Sequence, residues 1–196
     1  PLFENTFEPE TYNQLFDLNC SVYLNDNLYD SIGLHRFYYK YNTSNVAVSS
    51  GRQIITFGSG KLWNPLDIMN PISPFSIEGE SGLIGIDALR IDYFLNETSE
   101  LSVIYSPKRV NDELDENVLL NQNTDGVIRY KNVFRSIELA ILAGRAGRKN
   151  FGGFDFMTIV KDGLIRGSVL VVDQEDYGDY ILANAGYEYT AAFGLN

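Results

Sequence analysis

Apolar and polar side chains alternate residue by residue through most of this chain. A period of two puts successive side chains on opposite faces of a strand and does not match the 3.6-residue period of a helix. In 86–95, Leu89, Ile91, Tyr93 and Leu95 fall on one face, and Ile86, Ala88, Arg90, Asp92 and Phe94 on the other. One face is wholly apolar or aromatic; the other is mixed. The same design recurs in 31–41, 46–57, 101–106, 136–143, 154–160, 164–172 and 181–189, with a weaker instance at 16–24. The expected fold is therefore all-β, with about nine strands joined as antiparallel hairpins. The strands, of ~6 to 12 residues, approach the ~9 to 11 that a tilted strand needs to cross a bilayer.

Connection lengths add polarity to this picture. The stretches 58–84 and 107–133 read as long loops, and 42–45, 96–100 and 144–151 as shorter links at the other end. The Lys161-Asp162-Gly163 turn breaks this rule, because it is short on the long-loop side, which points to a miscounted strand. Tyr41, Tyr93, Tyr105, Tyr187 and Tyr189 fall near strand ends, where an aromatic girdle of a membrane barrel sits.

Charge and composition remove several classes. With 15 Lys+Arg against 26 Asp+Glu, the net charge of −11 opposes binding to phosphate backbones, so nucleic acid is not an expected partner. One cysteine, Cys20, and one histidine, His35, cannot build a Cys/His zinc site, and no metal or cofactor is expected. A lone histidine on a strand face beside Phe37 and Tyr39 reads as structural, so no catalytic residue is assigned and no enzyme is expected. No apolar run reaches the ~18 residues of a transmembrane helix, which a strand barrel does not need. No signal peptide is visible at Pro1, which does not bear on export.

The most individual stretch is 51–71, GRQIITFGSGKLWNPLDIMNP. A strand runs into a glycine-permitted bend and then a short capped turn. Asn64 suits the N-cap, Pro65 the first position of the turn, and Asp67 its positive end, while Pro71 and Pro74 forbid a long helix. This block, followed by Gly85-Ile86-Asp87-Ala88-Leu89-Arg90, resembles a family of porin-like bacterial outer-membrane β-barrel proteins. Leu142-Ala143-Gly144-Arg145, Gly152-Gly153-Phe154-Asp155 and Ala185-Gly186-Tyr187-Glu188-Tyr189 look like strand edges of such proteins, so the resemblance runs over about 31–190.

The resemblance implies an up-and-down transmembrane barrel in the bacterial outer membrane, in contact with lipid or lipopolysaccharide and passing or binding a small polar solute. Single-chain bacterial barrels have even strand numbers, so residues 1–196 are expected to form one incomplete barrel domain. Leu89, Ile91 and Leu139 would then face lipid. Arg36, Lys40, Arg90, Asp92, Glu138, Arg166 and Glu188 would line the pore or prop its wall as ion pairs. Residues 58–84 would form an ordered constriction loop through Asn64, Pro65 and Asp67, with Trp63 as a large buried anchor. The rival reading is a soluble β-sandwich or barrel that binds a ligand such as carbohydrate. Two loop features complete the reading: Asn121-x-Asn123-x-Asp125-Gly126, which starts like a calcium loop but has Asn132 at position twelve, and the acidic cluster Asp112, Glu113, Asp115 and Glu116, a solvated loop or weak divalent patch.

Overall fold

The computed structural model describes residue 15 and residues 19–25, 28–34, 36–61, 63–70, 85–107, 124–147, 149–174 and 178–189. The described residues form eleven strands and no helix: β1 (Asn19–Asn25), β2 (Leu28–Gly33), β3 (Phe37–Asn42), β4 (Val46–Gln53), β5 (Ile86–Asn96), β6 (Ser99–Pro107), β7 (Thr124–Phe134), β8 (Ile137–Ala146), β9 (Lys149–Val160), β10 (Gly163–Gln174) and β11 (Tyr180–Tyr189). The first two pair only with each other. The other nine form one up-and-down sheet in chain order from β3 to β11, every neighbour antiparallel.

Three expectations need correction. The stretch 31–41 is not one strand, because it divides between β2, which pairs with β1, and β3, which pairs with β4. Strand 46–57 stops at Gln53; beyond the positive-φ Gly51, the Ile55 and Phe57 side chains are buried among the concave apolar residues. The loop read at 107–133 contains β7, so the connection is 108–123. The Asn and Asp residues at 121–125 disguised that strand as loop, although Val127, Arg129, Lys131 and Val133 alternate with Ile128, Tyr130 and Asn132. Restoring β7 removes the anomaly at 161–163. The turns 43–45, 97–98, 135–136 and 161–162 all lie at one end, and the connections 54–85, 108–123, 147–148 and 175–179 at the other.

Register divides the sheet into two unlike faces, since directly opposed residues share a face. One lateral row, Tyr41, Val48, Ile91, Val103, Ile128, Ala143, Gly152, Val171 and Ile181, crosses all nine strands without a polar side chain apart from the Tyr41 hydroxyl. The next row, from Val46 through Tyr93, Leu101, Tyr130, Ile141, Phe154 and Val169 to Ala183, is equally apolar apart from its tyrosine hydroxyls. Large side chains of these two rows stand in the open: Ile141 is 55% exposed, Ile128 57% and Ile181 68%.

The other face is concave. Residues 54–70 leave β4 as a finger that lies across it and reaches β11, where Asn184 Nδ2 donates to Trp63 O at 2.8 Å. Between Gln53 and the fingertip at Gly60 the chain spans at most ~25 Å fully extended, whereas β4 and β11 are separated by seven strand spacings, ~34 Å across a flat sheet. The sheet must therefore curl, and the fold is barrel-like. Beneath the finger, Ile55, Phe57, Leu66 and Met69 pack on Ile86, Ala88, Ile104, Val127, Leu142, Phe151, Leu170 and Val172. This apolar core occupies the end of the concave face that carries the longer connections.

Candidate functional site

The finger is held by its own two asparagines. Asn64 Oδ1 accepts from Leu66 N at 3.1 Å and its Nδ2 donates to Phe57 O, so one side chain both caps the turn and ties the returning limb to the outgoing one. Asp67 N donates to Asn64 O at 3.2 Å, closing a single turn in which Pro65 is buried. Farther down, Asn70 Nδ2 donates to Ile55 O and Ile55 N donates to Asn70 Oδ1 at 3.2 Å, so an amide side chain imitates a strand partner. Asn70 Nδ2 also reaches Asp67 Oδ1 at 3.0 Å. Burial nevertheless dominates at Asp67 and pushes its carboxyl from 3.8 up to about 6.

The tip is anchored to the last three strands. Asp155 on β9 accepts from Ser59 N at 3.0 Å and Ser59 Oγ at 2.9 Å, and Ser168 Oγ donates to the same oxygen at 2.7 Å. Arg166 on β10 donates from Nη1 to Ser59 O at 2.9 Å and pairs with Glu188 on β11, which also takes Lys61 Nζ at 2.6 Å. Leu66 fills the space above Gly153, where an added Cβ would meet Leu66 Cδ2 at 2.5 Å. Trp63, expected from its size to be the buried anchor, is not: the residue is 49% exposed, and it holds Asn184 through its backbone carbonyl. Leu66 and Met69, with essentially no exposure, are the anchors, because the turn begun by Asn64 directs them and not the indole onto the sheet.

All seven side chains expected to line a pore lie on the concave side. Lys40, Arg90, Asp92, Glu138, Arg166 and Glu188 share that face by register, and Arg36, just before β3, borders a recess with Lys40, Arg90 and Asp92. They form local groups and no single cluster. Arg90 donates from Nε to Asp92 at 2.8 Å, and its Nη2 stands 3.6 Å from Glu100. Glu100 also faces Arg129 at 3.9 Å and accepts from Ser102, and Lys131 meets Glu138 at 3.3 Å. Arg129 Nε is buried with no hydrogen-bond partner among the described residues. Glu100, Arg129, Lys131 and Asp155 were missed by sequence reasoning; two of them sit on the overlooked β7.

A further pair joins the two most individual sequence blocks. Arg52 of the Gly-Arg-Gln triplet donates from Nε and Nη2 to the two carboxylate oxygens of Asp87, at 3.1 and 3.0 Å, with side-chain exposures of only 1% and 7%. Register places this pair on the convex side, but at the end with the longer connections. Leu15 N donates to Asp87 Oδ2 at 2.9 Å and Arg52 Nη1 to Leu34 O at 3.1 Å, so the preceding chain meets the pair there. Neighbouring Gln53 donates to Ala88 O at 2.9 Å while its Oε1 accepts from Ser49. Each residue of the triplet thus serves the fold, Gly51 by a bend, Arg52 by an ion pair and Gln53 by a cross-strand amide.

Compared with protein-family models, curated proteins and solved structures, the chain matches none. Among the described residues, no three His, Cys, Asp or Glu side chains are grouped as a metal ion would require. His35, Pro71, Pro74, the cluster Asp112, Glu113, Asp115 and Glu116, and Asn121 and Asn123 of the calcium-like motif lie outside the described residues. Of the motif residues that are described, Asp125 accepts from Gly147 N at 2.7 Å and Asn132 at position twelve donates to Ser99 Oγ.

Proposed function

We propose that this chain is the wall of a porin-like outer-membrane channel, complete or partial, that passes or binds small polar solutes and performs no catalysis. The observation that carries this reading is the apolar lateral row from Tyr41 to Ile181. A soluble antiparallel sheet turns one face to a core and the other, polar, to water. Here the concave face already has its own core under the finger, and the convex face is the apolar one, as it must be where lipid is the outer solvent. Strands β5 to β11 have 9 to 12 residues, enough to cross a bilayer at a tilt. Exposed Tyr41, Tyr93, Phe134, Tyr187 and Tyr189 gather toward the short-turn end, where a girdle would meet headgroups of lipid or lipopolysaccharide.

Within that wall the finger acts as an internal constriction. It seals one part of the concave face with apolar contacts and is fastened at its tip through Asp155, Arg166 and Asn184, leaving the polar side chains nearer the short turns, among them Arg90, Asp92, Glu100, Lys131 and Glu138, to face the solute. The test is to fold the protein into detergent and then into lipid vesicles. Heat-modifiable migration, lipid partitioning and solute-dependent vesicle swelling are the expected results. A monodisperse folded monomer without detergent would overturn the membrane reading and favour a soluble ligand-binding module.

A further inference from the structure

We infer that the recess between β3, β4 and β5 is a binding site for a small oxyanion, a dicarboxylate or inorganic phosphate. This rests on reading the concave face as the solute side of the wall. The recess has a volume of about 200 Å³, and its lining includes three cations, Arg36, Lys40 and Arg90, against the single carboxylate of Asp92. In a chain with a net charge of −11 this is a local reversal of sign. Arg90 is already committed to Asp92 and Glu100. Arg36 and Lys40 have no carboxylate within ion-pair distance among the described residues, and both are exposed.

The floor beneath these two cations is fixed. Lys40 lies opposite Ser49, and Ser49 opposite Arg90, so one hydroxyl sits between Lys40 and Arg90 in a cross-strand row. The Ser49 hydroxyl donates to Gln53 at 2.7 Å, and Gln53 is locked to Ala88 O, so neither side chain must be reordered to receive a ligand. Tyr38, on the same face between Arg36 and Lys40, adds a phenol to the rim. Two cations without a carboxylate partner, over a pre-ordered polar floor, suit a ligand with two or more anionic oxygens, because charge-assisted hydrogen bonds to both are stronger than either neutral alternative. A neutral sugar would leave both charges unanswered.

Succinate and inorganic phosphate are titrated separately, by calorimetry, into the full chain folded in detergent micelles at physiological salt, where diffuse surface attraction is screened beyond ~8 Å. Saturable binding of at least one anion is expected, weakened about tenfold or more by the double variant Arg36→Gln/Lys40→Gln. That factor corresponds to ~1.4 kcal/mol, the scale of one lost charge-assisted contact. The control Lys149→Gln/Lys161→Gln removes equal charge elsewhere and should stay within about twofold of the parent. Binding by succinate alone identifies a carboxylate site, and binding by both a general oxyanion site. Binding by neither, or equal weakening by both double variants, overturns the inference. The micelle titration needs no permeation, so a protein that binds but does not conduct refutes the channel and keeps this site, while one that conducts without binding does the reverse.

Discussion

Splitting the Arg52–Asp87 pair should cost more than any other single polar change in the described structure. Two side chains that are 1% and 7% exposed share two hydrogen bonds of about 3 Å. An exposed ion pair is worth ~0 to 1 kcal/mol, but removing one partner of a buried pair strands the other charge out of water, at ~3 to 5 kcal/mol. Arg52→Met and Asp87→Leu are each expected in that range, and Asp87→Leu also deprives Leu15 N of its acceptor. Replacing both residues removes both charges together, so the double variant should be less destabilised than the two losses added, by at least ~2 kcal/mol. Urea unfolding in micelles, followed by far-UV circular dichroism for the sheet and by the single tryptophan, Trp63, for the finger, measures all four species. Single losses below ~1 kcal/mol, or strict additivity, would refute the argument that burial makes this pair costly to break.

Leu139→Arg on the convex face should cost ~2 to 4 kcal/mol in lipid if the residue lies near the midplane, whereas Glu138→Gln on the opposite face should cost far less; equal effects in vesicle-folded protein would contradict the two-faced wall. Leu66→Ala should lose ~2 to 5 kcal/mol of finger stability, read as greater quencher access at Trp63, and Gly153→Val should give a similar fluorescence change by pushing Leu66 off its seat. At Asp67 burial raises the folded pKa to about 6, so the folded state holds a proton that the unfolded state releases near 4. Stability should therefore fall as pH rises from about 4 to about 6 and level off above, and Asp67→Asn should flatten this slope in the urea midpoint; an unchanged slope would reject the assignment.

Period-two alternation was enough to read most strands and nearly every facing, because side-chain direction in a strand follows from parity alone. Arg90 against Leu89 and Glu138 against Leu139 needed no coordinates. Parity failed where a strand did not advertise its beginning, at β7, whose Asn- and Asp-rich approach carries the composition of a turn. It also failed at Ile55 and Phe57, which continue the apolar spacing of β4 while leaving the sheet for the concave core. The Arg52–Asp87 contact was out of reach for another reason. Both residues stood in the two stretches already singled out, 35 positions apart, but pairing across strands depends on register, and register is set by neighbours that a single strand pattern does not contain. Trp63 was misjudged by size: a large aromatic invites burial, yet the turn geometry of Asn64 gave that place to Leu66.

The finger also sets a timetable. Ser59 must wait for Asp155, 96 positions later, and for Arg166, 107 later, while Lys61 waits for Glu188, 127 later. Contacts of such long range form only after the intervening chain has closed its loops, and closure entropy makes them slow. Until β9, β10 and β11 have been added, Ile55, Phe57, Leu66 and Met69 lack the farther part of their apolar seat, and the backbone and side-chain donors at the tip lack acceptors. A chain emerging in sequence order therefore carries an apolar segment until β9, β10 and β11 have followed it, and docking of that segment is a late event that reports their completion.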